Sequence, residues 1–238
     1  MRIPSATSLL FIDLETVPLH EKFEDLDPRG QELWQLKNRY WLQDDQDPSA
    51  VYAERAGVMA EFSKVICATV AYLSSNGNGL ALKLKSFYGD DEKTVLQELI
   101  PVLNSVGRTE LKLLCAHNGI EFDFPFLARR ITIHQLALPE CLDLAGKKPW
   151  EVPHIDTMEL WKFGDRKAYT SLNLLSYVFN IPSPKDDISG ADVKKVYYEE
   201  KNLERIVRYC EKDVTTLAKI YLKFGNNGLE INEIQSEF

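Results

Sequence analysis

The sequence predicts an α/β fold built on a mixed sheet, and three observations carry that expectation. Near the start, Leu9-Leu-Phe-Ile12 is a continuous apolar run, as a central strand buried on both faces requires. Two further strand-like segments flank the turn Asn76-Gly-Asn-Gly79, the signature of a hairpin. Beyond Asp90, segments of helical periodicity alternate with short apolar runs, as when helices are laid on a sheet.

Taken in order, the first strand spans 8–14, the second 63–74 and the third 80–88. A helix then starts at Asp90 or Asp91 and runs to about Val106, carrying Val95, Leu96, Leu99, Ile100, Val102 and Leu103 on its apolar stripe. Leu111-Lys-Leu-Leu-Cys-Ala116 reads as a fourth strand. A helix follows over 122–137, with Pro125 in its first turn, where a missing N–H is harmless. A short strand lies around 152–157. Ser171 caps a helix that runs through Phe179 and ends before Pro182. Leu203, Ile206, Val207, Cys210, Val214, Leu217, Ala218 and Tyr221 fall at helical spacing, giving a long amphipathic helix near 202–222. The tail after Gly225 reads as frayed.

Residues 1–238 read as one domain, with a helical insertion at about 18–58, a stretch too long for a simple connection. That insertion either covers the sheet or forms a flap. In the second case Trp34, Tyr40 and Trp41, with Lys37 and Arg39 nearby, would stack unpaired bases. The loop 138–151, with Cys141, Lys147, Lys148 and Trp150, is open to the same two readings.

Composition narrows the class. With 45% apolar and 27% charged residues the chain reads as soluble and globular. It has no run of 18 apolar residues and no signal-peptide pattern, so a membrane span is not expected. Cys67, Cys115, Cys141 and Cys210 are widely spaced, which points to neither a zinc motif nor a disulfide framework and fits reduced cytoplasm. A net charge of −8 disfavours a protein that coats nucleic acid non-specifically, but not one that grips a strand end. The pairs Arg129-Arg130, Lys147-Lys148, Arg166-Lys167 and Lys194-Lys195 could meet phosphates, although such pairs are more often solvated surface.

Three short segments carry chemistry. In Phe11-Ile-Asp-Leu-Glu-Thr16, strand alternation puts Asp13 and Glu15 on one face and Leu14 on the other. Two adjacent carboxylates repel and resist desolvation, and a hard divalent cation relieves both problems. Alone, the pair is a common one and reads as a strand end whose acids face solvent. In Tyr209-Cys-Glu-Lys-Asp213, Tyr209 and Asp213 are i and i+4 on the edge of the apolar stripe, within reach of a packed strand. By itself this is also an ordinary helix-surface pair. In Asn118-Gly-Ile-Glu-Phe-Asp123, Gly119 marks a turn and Asp123 sits near a helix N-terminus, where an acid is also an expected cap.

Together the three segments resemble the DEDDy-type 3′–5′ exonucleases of the DEDD superfamily. Asp13-Leu-Glu15 is similar to the first motif, Asn118-x3-Phe122-Asp123 to the second, and Tyr209-x3-Asp213 to the third. The likeness is closest to the proofreading exonuclease domain of family B DNA polymerases, and more narrowly to the predicted stand-alone exonucleases related to it. Residues 181–213, from Ile-Pro-Ser-Pro-Lys-Asp-Asp-Ile-Ser-Gly through Val-Tyr-Tyr-Glu to the third motif, resemble that narrower group. A histidine at Tyr209 would have indicated the other DEDD subtype.

The resemblance implies an RNase H-like (DnaQ-like exonuclease) fold, a mixed five-stranded sheet of order 3-2-1-4-5 flanked by helices. It implies two divalent cations, Mg²⁺ or Mn²⁺, roughly 4 Å apart. Asp13, Glu15 and Asp213 would hold one ion; Asp13 would share the second, supported by Asp123. Tyr209 would orient the nucleophilic water, since a phenol of pKa near ~10 is a poor base at neutral pH. Leu14, Thr16, Asn118 and Phe122 would contact or shape the seat of the terminal nucleotide. The implied substrate is a 3′ end of single-stranded nucleic acid, DNA favoured over RNA, released as nucleoside 5′-monophosphates. With no polymerase segment in the sequence, proofreading would act in trans, beside a polymerase or other repair partner; general trimming of 3′ ends is the alternative. An exoribonuclease, or a silent nucleic-acid-binding module of the same fold, are the competing readings, and retention of all four acids speaks against the second. Asp156, close to a strand end, reads as a helix cap near Thr157 and not as a fifth ligand, and His117 as a satisfied polar group.

Overall fold

A computed structural model describes residues 3–42, 46–75, 79–165, 167–183, 187–225 and 228–237. Residues 76–78 of the expected hairpin turn, Arg166, and 184–186 of the stretch after Ile181 lie outside the described residues. In chain order the strands are β1 (Leu9–Pro18), β2 (Ser63–Ser75), β3 (Leu80–Tyr88), β4 (Leu113–Ala116), β5 (Ile155–Asp156) and β6 (Ile231–Glu237). The helices are α1 (Pro28–Asn38), α2 (Pro48–Arg55), α3 (Glu92–Leu103), α4 (Asp123–Ile133), α5 (Thr157–Lys162), α6 (Leu172–Val178), α7 (Val193–Tyr198) and α8 (Leu203–Gly225).

Among the described residues the strands form one mixed sheet, ordered β5-β4-β1-β2-β3-β6. β1 runs antiparallel to β2 and parallel to β4, and β2–β3 is the expected antiparallel pair. The anticipated order is therefore present, but with six strands and not five. The tail expected to fray pairs in parallel with β3 from Leu80↔Ile231 to Lys85↔Glu237. Its apolar residues, Leu229, Ile231 and Ile234, do not alternate, so period-two patterning misses it. The unpaired edge of β3 supplies the reason to pair.

Alternation along β1 decides the layout. Leu10, Ile12 and Leu14 enter a core with Leu96, Leu99, Phe124 and Leu127 of α3 and α4. Leu9 and Phe11 pack against Val214, Leu217 and Tyr221 of α8. The odd-numbered face, which carries Asp13 and Glu15, is thus the face that meets α8. β1 also continues to Pro18, four residues past its expected end, so both acids lie within the strand. A register shift between Glu15 and Thr16 re-aims the backbone just beyond them.

The 18–58 segment is helical, but it builds a core of its own. Trp34 and Tyr52 are fully buried there, their rings 4.9 Å apart, with Phe23, Leu26, Val51 and Phe62 around them. Trp34 therefore cannot stack on a base, whereas Tyr40 and Trp41 are exposed, the latter under the Arg55 guanidinium at 4.0 Å. Thr16 ties this unit to β1 by donating its hydroxyl to the Gly57 carbonyl at 2.6 Å. No described helix is long and apolar enough to cross a membrane.

Candidate metal centre

Three elements deliver the acids. β1 presents Asp13 and Glu15; α8, packed on that face, presents Tyr209 and Asp213 one turn apart; the turn after β4 delivers Asp123. Asp13, Leu14, Glu15, Thr16, Phe122, Tyr209 and Asp213 line one cavity of about 320 Å³. Asp123 is 3% exposed and lies behind that lining, close enough to raise the pKa of Asp13 by repulsion. It is not a helix cap: Phe122 occupies the cap position of α4.

Asn118, like Asp123, is not part of the cavity lining. It adopts a left-handed φ of 64° and shapes the turn, its backbone N–H donating to Asp156 Oδ1 at 2.9 Å. Asp156 also accepts from Ile120 N–H at 3.1 Å, while Oδ1 accepts from Met158 N–H at 2.9 Å. One carboxylate thus caps α5, as its place in the sequence suggests, and also holds the loop that leads to Asp123. His117 is satisfied structurally, with Nδ1 2.9 Å from Thr157 Oγ1 and Nε2 2.9 Å from the Thr170 carbonyl.

Gly119 is required by contact. A Cβ there would stand 2.4 Å from Ala116 Cβ and 2.9 Å from the Phe124 ring. Gly119→Ala is expected to destabilise by roughly 1–3 kcal/mol, as overpacking does, and to displace Asp123. A denaturant melt with a divalent-ion titration measures both effects.

The electrostatics are those of crowded anions. Burial raises the Asp13 carboxyl well above the ordinary range, and repulsion by Asp213 and Asp123 adds to it. Burial raises Glu15 likewise, followed by repulsion from Asp13 and Asp213. Asp123 is pushed up to about 8, chiefly by burial. Tyr209 is held far above a free phenol by burial and the neighbouring acids, and its hydroxyl hydrogen-bonds Asp213. Oxygen donors under this repulsion suit a hard divalent cation.

The pH dependence has a definite sign. A carboxyl raised by folding stabilises most below its unfolded value, near ~4, and loses that contribution as pH climbs through its folded value. In EDTA the melting midpoint is therefore expected to fall between about pH 5 and 8, and divalent ions should reverse the fall. A midpoint that rises over this window in EDTA would contradict the repulsion.

Several lining residues are not among the expected site residues. Ala53, Glu54, Gly57 and Val58 form a wall through α2 and the turn after it, and Gly190, Ala191 and Lys194 form another. Lys194 belonged to one of the basic pairs; its neighbour Lys195 is exposed, and only the placement of α7 separates them. Arg130, from another such pair, is buried and bonded to Glu92, so it is no phosphate ligand.

A family model described as a predicted 3′-5′ exonuclease related to the exonuclease domain of PolB matches residues 58–236. That span includes Asp123, Tyr209 and Asp213 and begins after Asp13 and Glu15. Among solved structures, the fold is similar to that of the family B DNA polymerase from the hyperthermophilic archaeon Pyrobaculum calidifontis. The TM-score is 0.60 at 13% identity, over 94% of this chain and 25% of the polymerase chain.

Proposed function

Because the chain belongs to the family of predicted 3′–5′ exonucleases related to the exonuclease domain of PolB, we propose that it is a metal-dependent 3′–5′ exonuclease on single-stranded DNA. In this reading the fold is the RNase H-like (DnaQ-like) type and the chain acts as a single exonuclease domain. The observation that carries the proposal is the gathering of carboxylates from three separate segments: Asp13, Glu15 and Asp213 line one cavity, and Asp123 is buried behind it, close enough that it and Asp213 both repel Asp13 and Glu15.

Two divalent ions, Mg²⁺ or Mn²⁺, would be held by Asp13, Glu15, Asp123 and Asp213, and when bound they supply Lewis-acid stabilisation and an acidified water. The chain's own residues position the rest. Tyr209, protonated across the working range, orients the attacking water instead of deprotonating it. Water oxygen joins phosphorus, the P–O3′ bond breaks, and the departing 3′-oxygen takes a proton, leaving a nucleoside 5′-monophosphate. Leu14, Thr16 and Phe122 seat the terminal nucleotide, Asn118 shapes the turn beside it, and Lys194 meets its phosphate. Lys194→Ala is expected to raise KM about tenfold with little change in kcat, the mark of binding lost equally from ground and transition states. A kcat loss instead would assign Lys194 to the chemistry.

The deciding experiment uses a 5′-labelled single-stranded DNA oligonucleotide, with and without EDTA, beside a matched RNA. Stepwise shortening from the 3′ end that EDTA abolishes is the expected result. Shortening of RNA alone would reassign the substrate, and none on either would refute the proposal.

A further inference from the structure

The side chain nearest the acids that the exonuclease reading does not use is Cys210. It follows Tyr209 on α8 and is fully buried, and its thiol donates to Asp13 Oδ2 at 3.4 Å and to the Asp13 carbonyl at 3.5 Å. One ligand atom each from Asp13, Glu15 and Cys210 lies within 4.8 Å of the other two. Glu15 is only 6% exposed, faces the same cavity and accepts no hydrogen bond from the described residues. A buried carboxylate without a donor calls for a cation.

We propose that Asp13, Glu15 and Cys210 form a second coordination mode of this centre, a site for a thiophilic divalent cation of the zinc class whose occupation shuts off hydrolysis. Tetrahedral zinc, with Zn–S near ~2.3 Å and Zn–O near ~2.0–2.1 Å, holds a sulfur and an oxygen ligand about 3.6 Å apart. The Cys210–Asp13 separation of 3.4 Å already meets that spacing. Three protein ligands and a water are a common zinc set. Hard Mg²⁺ takes oxygen and gains nothing from sulfur, whereas a thiolate selects zinc. Binding exchanges the thiol proton for the metal and releases it to solvent. The shut-off follows from competition for Asp13 and Glu15 and rests on the exonuclease reading; the coordination mode does not.

Cobalt(II) is the probe. Added to the metal-free, thiol-reduced protein, it is expected to give a near-ultraviolet thiolate-to-cobalt charge-transfer band that saturates near one equivalent and that zinc bleaches. The band should vanish in Cys210→Ser and persist in Cys67→Ser, which alters the thiol beside Cys210. No band in the wild type, or a band that survives Cys210→Ser, overturns the site. In the oligonucleotide assay with Mg²⁺, zinc should inhibit the wild type at concentrations at least tenfold lower than Cys210→Ser, each judged against its own zinc-free rate. Equal sensitivity overturns the shut-off. A protein that shows the band but never shortens DNA or RNA refutes the exonuclease reading and leaves the coordination mode standing.

Discussion

Asp13→Ala is expected to slow shortening of a single-stranded oligonucleotide by about a thousandfold or more, while its melting midpoint in EDTA stays level or rises. The activity half follows from position. Asp13 projects from the face of β1 that meets α8, and both Asp213 and Asp123 raise its pKa by repulsion. In the proposed mechanism it would help to hold both ions, so its loss would disarm both. The stability half follows from the same crowding. Asp13 heads the repulsions that raise Glu15, so alanine relieves a neighbour as well as removing a buried charge. The Cys210 thiol loses one acceptor but keeps the Asp13 carbonyl. Asp13→Asn, which preserves shape, should lose activity alike, and calorimetric titration with Mn²⁺ should show weakened binding in both variants. A midpoint lowered by many degrees in the metal-free state would mean that the acid is structural and would sink the crowded-site account. Retained activity would sink the site itself.

The legible part of this site was the part that follows from local geometry. Alternation alone places Asp13 and Glu15 together, and i, i+4 spacing places Tyr209 over Asp213; neither depends on how the sheet is assembled. Asp123 was legible only through its motif, because a helix-terminal acid looks the same whether it caps the helix or is buried behind a cavity. The walls were not legible. Glu54 and Gly57 reach the cavity because the insertion folds around Trp34 and Tyr52, not over the sheet. Lys194 reaches it while Lys195 does not because Val193, Val196 and Tyr197 bury the other side of α7. β6 was missed because an edge strand is recruited by exposed backbone, which leaves little trace in side-chain pattern.

Arg130 shows the same blind spot from the opposite side, and its removal carries the largest expected effect on stability. Arg129-Arg130 reads as a solvated basic pair, yet Arg130 is 3% exposed. Its Nε donates to Glu92 Oε1 at 2.9 Å, an Nη donates to Oε2 at 2.5 Å, and the other Nη donates to the Ala60 carbonyl at 2.8 Å. Glu92 Oε1 also accepts from Val65 N–H at 2.7 Å, and Oε2 lies 2.6 Å from His134 Nε2. The cluster therefore locks α3 and α4 to β2 beside the start of the sheet's hairpin. Arg130→Ala leaves a buried carboxylate without its main partner, which costs about 3–5 kcal/mol, or about 10 °C in melting midpoint for a chain of this size. Glu92→Leu with Arg130→Met removes both charges and should cost much less than the single truncation. Acid titration supplies an independent check. Burial tends to raise the Glu92 carboxyl, but hydrogen bonds from Arg130, Val65 N–H and His134 outweigh it and hold the carboxyl below its ordinary value. A depressed carboxyl stabilises above its unfolded value, near ~4.3, and loses that contribution as pH falls through the folded one. In Arg130→Ala the burial penalty is no longer offset, so protonating Glu92 relieves the variant just as it weakens the wild type. The gap between the two melts should be widest near neutral pH and narrow below about pH 4.5; a gap independent of pH would mean that Arg130 acts through packing and not through Glu92.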